Sequence, residues 1–326
     1  MDRPHSKPHA TPEPHHPGPH AGSQAGRSTL ARAMLRRWHD ALRSGLRRYP
    51  TELSRPPARA TPRVESSASA SLPGERNWAA WLGHASVLLD LDGRRVLVDP
   101  VLSDRIGVSL LGRTIGMERL APPALRAHEL PQVDLVLITH AHFDHLDRPT
   151  LAALARKQTH VITARNTARL IPRGFGSVRE IDWRGTLEEG PLHIEALRPN
   201  HWGARTAWDR HRGFNSYLVR ARHGPTVLAA GDSAMTDAFA RVAPARPDLA
   251  ILGIGAYDPW IHAHATPEQA WEMFLQSGAR TMMPVHHSTF KLSDEPAEEP
   301  IQRLMRAAAS DQDRVAAVNV GGVVRM

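Results

Sequence analysis

Residues 139–147 carry a cluster of side chains that is typical of a metal site. The cluster directly follows an apolar run that we expect to form a buried strand. Residues two apart in an extended chain point the same way, so His140 and His142 can bind one ion. After a turn, Asp144 and His145 can face a second ion. Zinc takes imidazole and carboxylate ligands when no thiolate is available, and the chain has no Cys. The cluster therefore predicts metal binding.

More ligands must come from elsewhere, because a catalytic zinc takes about three protein ligands and keeps one position open for water. Three candidates follow other apolar runs, namely His201, Asp232 and His286. The carboxylate of Asp232 has two oxygens and can bridge two ions, and Gly231 before it permits a tight turn. The spacing alone does not choose between His286 and its neighbour His287.

Two adjacent ions can generate hydroxide at neutral pH and can hold the attacking and leaving oxygens of a phosphoryl or acyl group. Hydrolysis is therefore the expected chemistry. The sequence has neither Cys nor a Gly-x-Ser-x-Gly motif, so a covalent nucleophile has no support. The absence of Cys also excludes a disulfide scaffold and an iron–sulfur cluster.

Short apolar runs alternating with turn signals must position these residues. The pair Asp92-Gly93 predicts a hairpin between two of these runs. Strands are predicted at residues 87–91, 94–98, 133–139, 161–163, 193–197, 215–220, 226–230, 249–254, 281–285 and 315–320. Helices are predicted at residues 149–156, 167–171, 267–276 and 300–309. Hairpins followed by strands that alternate with helices indicate an α/β domain of mixed sheets with outer helices.

The first 76 residues differ in composition from the rest. Residues 1–26 are rich in His and Pro and predict a disordered tail. Residues 27–49 predict a basic amphipathic helix that either lies on an anionic membrane or docks on the domain. Residues 50–76 predict a linker, and residues 77–326 predict one hydrolase domain.

The net charge of +8 belongs to the amino-terminal fifth of the chain. Residues 1–63 hold 12 Lys and Arg against 4 Asp and Glu, whereas residues 64–326 hold 29 of each. A nucleic-acid partner is not expected, because a nuclease domain would be basic near its site. No apolar run approaches the roughly 20 residues that cross a bilayer. We therefore expect a cytoplasmic protein whose membrane contact, if any, is peripheral, at the inner face through residues 27–49.

The ordered part of the chain resembles the metallo-β-lactamase superfamily. The motif His-x-His-x-Asp-His at residues 140–145, with downstream His201, Asp232 and His286, is similar to the superfamily pattern. The flanking segments resemble the branch that contains N-acyl-phosphatidylethanolamine-hydrolysing phospholipase D. These segments are Trp81–Val87, Val98–Arg105, Asn200–Trp202, Ala230–Asp232, Ile254–Pro259, His264–Ala270 and His286 with Thr289 and Phe290.

This resemblance implies an αββα sandwich of two mixed sheets, with two zinc ions at one edge; manganese and iron remain alternatives. It implies that the first zinc is held by His140, His142 and His201, and the second by Asp144, His145 and His286, with Asp232 between them. It thereby prefers His286 over His287. A hydroxide bridging the ions would attack phosphorus.

The resemblance also implies roles beyond the ligands. His264 would contact substrate phosphate or transfer a proton, with Asp144 and Asp232 as the other catalytic groups. Tyr257 and Trp202 would line the substrate pocket. His84 is expected to be a hydrogen-bonded structural histidine.

The predicted function is a dinuclear zinc phosphodiesterase acting on N-acyl-phosphatidylethanolamine-like phospholipids. The alternative is a lactonase or small-ester hydrolase of the same fold with a soluble substrate. A metal sensor or storage protein is a third reading, supported only by the His-rich tail. The sequence leaves the oligomeric state open.

Overall fold

A computed structural model describes residues 72–110, 113–206 and 208–326 of the protein. The predicted tail (1–26), amphipathic helix (27–49) and most of the predicted linker (50–76) lie outside these ranges. Within them, no helix has both the length and the apolar character needed to cross a membrane. The first regular element begins at Trp78, next to the predicted start of the domain at residue 77.

The described ranges contain fifteen strands and three α-helices. The strands are β1 (Trp78–Gly83), β2 (Ser86–Leu91), β3 (Arg94–Val98), β4 (Arg105–Leu110), β5 (Arg113–Glu118), β6 (Leu135–Ile138), β7 (His160–Ala164), β8 (Ser177–Ile181), β9 (Thr186–Glu189), β10 (Leu192–Leu197), β11 (Ser216–Ala221), β12 (Thr226–Ala229), β13 (Leu249–Gly253), β14 (Thr281–Val285) and β15 (Val323–Arg325). The helices are α1 (Arg148–Leu154), α2 (Pro267–Ser277) and α3 (Glu299–Ala308). Short 3-10 helices cover Ala168–Leu170, Ala238–Ala245 and Ala309–Arg314.

The strands form two mixed sheets and one separate hairpin. The first sheet has the order β15-β1-β2-β3-β6-β7-β8, and the second has the order β14-β13-β12-β11-β10-β9. In the first sheet β3, β6, β7 and β8 run parallel, and in the second β12, β13 and β14 do. Parallel strands are covered on both faces, which explains why all four residues of β6 are buried.

Three apolar layers hold the elements together. The central layer joins inward side chains of both sheets, such as Trp81, Leu137, Tyr217 and Met283. An outer layer packs α1 on the first sheet, and another packs α2 and α3 on the second. The order of layers is therefore helix, sheet, sheet, helix, as the resemblance implied.

Most predicted elements are confirmed within a few residues. Asp92 and Gly93 both have positive φ, as the two-residue turn between β2 and β3 requires. Helix α2 begins with a capping box between Thr266 and Gln269 and ends at Gly278 with φ 68°.

The predicted strand at residues 315–320 is wrong. Val315 makes only an isolated bridge to Met282, and a turn closed by the hydrogen bond from Gly322 N to Asn319 O follows. Backbone hydrogen bonds to β1 begin at Gly321, directly before β15. The hairpin of β4 and β5 was not predicted, because Gly107 and Gly116 interrupt the apolar alternation that identifies strands.

Tyr217 ties the two sheets together through its hydroxyl group, which donates to the carbonyl oxygen of Ile138 at 2.9 Å in the buried centre. Replacing Tyr217 with Phe would leave this carbonyl without its partner. We expect Tyr217→Phe to lower the free energy of unfolding by about 1–3 kcal/mol, measured by urea denaturation. Tyr257→Phe is the control and should cost less, because its partner Glu299 keeps contact with water. Equal losses in the two variants would contradict this role.

Candidate metal centre

The candidate ligands lie at one edge of the sandwich, where strands of both sheets end. The motif 140–145 follows β6, whereas His201, Asp232 and His286 follow β10, β12 and β14. The carboxyl ends of these three strands share one edge, because all three run in the same direction. Topology therefore collects residues that are up to 146 positions apart in the sequence.

Gly231 brings the second sheet close to the motif. Its φ is +61°, and a Cβ atom there would lie 2.9 Å from the side chain of Thr139. Any larger residue would therefore be strained and would separate the β12 loop from the motif. The hydrogen bond from Asn215 N to Thr139 O joins the two sheets at the same point.

The carboxylate of Asp232 is the centre of the cluster and is only 3% exposed. Its Oδ2 lies 3.1 Å from His145 Nε2, 3.6 Å from His201 Nε2 and 3.7 Å from His140 Nε2. Its Oδ1 lies 3.3 Å from His286 Nε2. Oδ2 thus faces His140 and His201 on one side and His145 on the other, whereas Oδ1 faces His286, so the carboxylate lies between the imidazoles of both parts of the cluster.

Four ligand atoms converge in the first group, from His140, His142, His201 and Asp232. The distance from His142 Nδ1 is 2.9 Å to His140 Nε2 and 3.3 Å to His201 Nε2. Ligand atoms around a tetrahedral zinc with bonds of about 2 Å are separated by about 3.3 Å. The three imidazoles therefore have the spacing of a zinc site.

The second group contains Asp144, His145 and His286, and His84 joins it. Asp144 Oδ2 lies 3.2 Å from His286 Nε2 and 3.7 Å from His145 Nε2. His84 Nε2 lies 3.0 Å from the same oxygen and is buried. His84 is thus hydrogen-bonded, as expected, but its partner is a proposed ligand.

Asp99 orients the ring of His145 from the side opposite to Asp232. Its Oδ2 lies 2.7 Å from His145 Nδ1 and accepts from the hydroxyl of Thr139 at 2.6 Å. The contact to Nδ1 directs His145 Nε2 toward Asp232. Such a carboxylate fixes the tautomer and orientation of a ligating histidine.

The charges of the cluster suit a bound cation. Burial lowers the pKa of His142 to about 4 and that of His140 well below its usual value. Burial alone would raise the pKa of Asp232, but the positive charge of His145 and His286 holds it well below its usual range. Metals need neutral imidazole and ionised carboxylate, and His140, His142 and Asp232 supply them at neutral pH.

Two buried atoms at the centre lack a well-formed hydrogen bond within the described part of the chain, namely His145 Nε2 and Asp232 Oδ2. Both point into the space between the two groups. A buried polar atom without such a partner costs free energy, and coordination to a metal would satisfy both. The residues present therefore fit two divalent ions such as zinc.

The structure also places the predicted substrate residues. His264 Nδ1 lies 3.8 Å from Asp232 Oδ2, and its side chain is 14% exposed, so it lies between the cluster and solvent. Trp202 is 40% exposed and packs beside His201, with ring centroids 4.5 Å apart. Tyr257 is directed elsewhere, because its hydroxyl donates to Glu299 on α3.

His287 does not face the cluster. Its ring packs against Trp81, with centroids 4.7 Å apart, and its Nδ1 lies 3.0 Å from the hydroxyl oxygen of Ser288. His286 points to Asp144 and Asp232 instead, with φ 66°. The tertiary structure thus distinguishes two adjacent histidines that spacing did not.

Sequence reasoning gave no ligand-related role to His84 or to Arg205. Both contact the motif through their side chains, from irregular segments that carry no spacing signal. In the sequence, the glycine before His84 was the one indication of an unusual turn. The structure has positive φ at both Gly83 and His84.

Comparisons with known proteins show the family to which the chain is similar. The family described as "Beta-lactamase superfamily domain" matches residues 94–287. An uncharacterized protein of Mycobacterium tuberculosis is 35% identical over 256 residues, which cover 73% of this chain and 65% of that protein. The mitochondrial N-acyl-phosphatidylethanolamine-hydrolyzing phospholipase D of Saccharomyces cerevisiae is 29% identical over 238 residues, which cover 69% of this chain and 50% of that protein. The chain spans less than two thirds of the length of both relatives.

The same arrangement of sheets occurs in a solved structure. The crystal structure of a possible metal-dependent hydrolase from Veillonella parvula matches with a TM-score of 0.62 at 17% identity. The match covers 77% of this chain and 100% of that chain. The similarity concerns the fold.

Metal content distinguishes the adjacent histidines His286 and His287. We expect His286→Ala and Asp232→Ala to lower the affinity for zinc by at least about 10-fold, because each removes a ligand atom. His287→Ala is the matched control and should retain its zinc, although it removes an equally buried ring. Zinc per chain after dialysis, measured by atomic absorption, checks this. Unchanged zinc content in both His286→Ala and Asp232→Ala would refute the ligand assignment.

Zinc binding should also release protons at pH 7. Burial alone would lower the pKa of His145, but the charges of Asp232, Asp144 and Asp99 raise it well above its usual value. The metal-free protein therefore holds a proton on His145 at pH 7, which a cation must displace. Zinc affinity should fall as the pH falls. Calorimetric titrations in two buffers with different ionisation enthalpies measure the released protons, and identical heats in both would contradict the expectation.

Proposed function

We propose a function for this chain, which belongs to the beta-lactamase superfamily. The proposed function is that of a metal-dependent hydrolase, more specifically a dinuclear zinc phosphodiesterase acting on N-acyl-phosphatidylethanolamine-like phospholipids. The observation that carries the proposal is the position of Asp232 between two groups of imidazoles. A carboxylate shared in this way suits two ions better than one. The layer order of the fold agrees with the metallo-β-lactamase fold.

In the proposed site, His140, His142 and His201 would hold one ion, and Asp144, His145 and His286 would hold the other. Asp232 would contribute to both. Two zinc ions bound there would supply Lewis acidity and a water of lowered pKa next to the phosphoryl group. Mn²⁺ and Fe²⁺ accept the same nitrogen and oxygen ligands and remain alternatives.

The residues around the proposed ligands orient them. Asp99 holds His145 in one orientation through the 2.7 Å contact to its Nδ1. His264 lies at the opening beside Asp232, where its ring can hold or transfer a proton or contact a phosphoryl oxygen. We propose a catalytic role for His264 because of this position. We propose catalytic roles for Asp144 and Asp232 because their carboxylates face the imidazoles of the cluster.

The exposed ring of Trp202 offers an apolar wall beside His201 and His142 for the acyl part of a lipid. Tyr257 is buried, and its hydroxyl is used by Glu299, so any contact with substrate is through its ring. A phospholipid substrate draws support from the name of the yeast relative. Peripheral membrane contact through residues 27–49 is part of the same proposal.

An assay with three kinds of substrate tests this function. We expect the zinc-loaded protein to cleave N-acyl-phosphatidylethanolamine in mixed micelles and bis-p-nitrophenyl phosphate in solution. Asp232→Ala should lower kcat/KM by at least about 100-fold, because it removes the shared ligand, whereas His287→Ala should stay near wild type. A panel of lactones is tested in parallel. Turnover of lactones without cleavage of either phosphodiester would replace this proposal with the lactonase alternative.

A further inference from the structure

Arg205 joins two of the loops that carry the first group of ligands. It lies four residues after His201 on the loop that follows β10. Its Nη1 donates to the carbonyl oxygen of Ala141 at 2.9 Å and to that of Leu146 at 2.8 Å. Ala141 and Leu146 are fully buried, so their carbonyl groups need partners from the protein.

These two carbonyl groups bracket the ligand-bearing segment. Residues 142–145 lie between them and include His142, Asp144 and His145. One guanidinium nitrogen therefore holds both ends of the segment at a fixed separation. The carbonyl oxygen of His142 lies 3.5 Å from the same nitrogen.

The guanidinium group is itself held in place. It lies over the ring of Phe143, with 3.9 Å from its central carbon to the ring centroid. Phe143 belongs to the same segment, so the cation contacts it through a ring as well as through carbonyl groups. Among the described ion pairs, Arg205 has no carboxylate partner. Its Nη1 atom donates to backbone carbonyl groups of the motif and of Leu146 instead.

We propose that Arg205 is a positioning residue that sets the spacing between His142 and His201 before a metal ion binds. The inference rests on the proposed function, because it assumes that these histidines are ligands. His142 Nδ1 and His201 Nε2 lie 3.3 Å apart on separate loops, and the side chain of Arg205 donates hydrogen bonds from one loop to the other. A site whose ligands are already held at the spacing that the metal requires binds the metal more tightly, because less conformational entropy is lost on binding.

Lysine at this position would keep the charge but lose the geometry. Its single ammonium group cannot lie flat on Phe143 while it donates to two carbonyl groups in fixed directions. Arg205→Lys is therefore the informative variant. Arg198→Lys is a matched control, because Arg198 also lies over an aromatic ring, that of Trp183 at 4.4 Å, but is exposed at the surface.

The metal-free full-length proteins are titrated with zinc in competition with a chelator. We expect Arg205→Lys to bind zinc about 10- to 100-fold more weakly than wild type, and Arg198→Lys to stay within about twofold. Hydrogen exchange of the metal-free proteins gives a second readout. The amides of His145 and Leu146, which donate to the carbonyl oxygen of His142, should exchange faster in Arg205→Lys than in Arg198→Lys.

Zinc affinity of Arg205→Lys within twofold of wild type, with unchanged exchange, would overturn the inference. Should Arg205→Lys fail to fold, Phe143→Leu removes the supporting ring and should also weaken zinc binding; full affinity in that variant would overturn the inference. A wild-type protein that binds no zinc would refute the proposed function instead. The exchange measurement would still decide whether Arg205 holds the segment.

Discussion

The buried carboxylate of Asp232 is the constraint around which the edge of the sandwich is arranged. A buried charge is costly unless opposite charges or hydrogen-bond donors surround it. Five imidazoles lie within 3.8 Å of its two oxygens, those of His140, His145, His201, His264 and His286. They come from four loops and both sheets. The same charge that suits a pair of cations therefore also unites the two halves of the fold.

Rigid elements behind the cluster keep this arrangement in place. The buried strand β6 ends at the motif, and its last carbonyl group accepts from the hydroxyl of Tyr217 on the other sheet. Asp99 joins Thr139 to His145, and Arg205 joins the motif to the loop of His201. These contacts use backbone carbonyls, the hydroxyl of Thr139 and the Nδ1 atom of His145. The Nε2 atom of His145, which is its proposed ligand atom, is thus left free to face Asp232.

Local patterns predicted most of the fold, and failed where pairing depended on distant residues. The turn at Asp92-Gly93 and the start of α2 at Thr266 are determined by neighbours in the sequence, and both were predicted. The apolar run at residues 315–320 resembles a strand equally well. It lies beside β14 only at Val315, because the chain turns before it reaches β1. The hairpin of β4 and β5 escaped prediction because its glycines serve the approach of two backbones, which no local pattern records.

The sequence by itself determined the ligand types and the local half of the centre. The motif at residues 140–145 is compact, so its chemistry is visible without a fold. The resemblance named His201, Asp232 and His286 as the distant residues, but only the tertiary structure shows how they meet the motif, because topology, not spacing, brings the ends of β10, β12 and β14 to one edge. It also turned His286 inward and packed His287 on Trp81, a choice made by backbone φ and by the ring beside it. The parts played by His84, Asp99 and Arg205 depend on contacts between segments 40 to 64 residues apart, and physical contact at that separation exists only once the chain is folded.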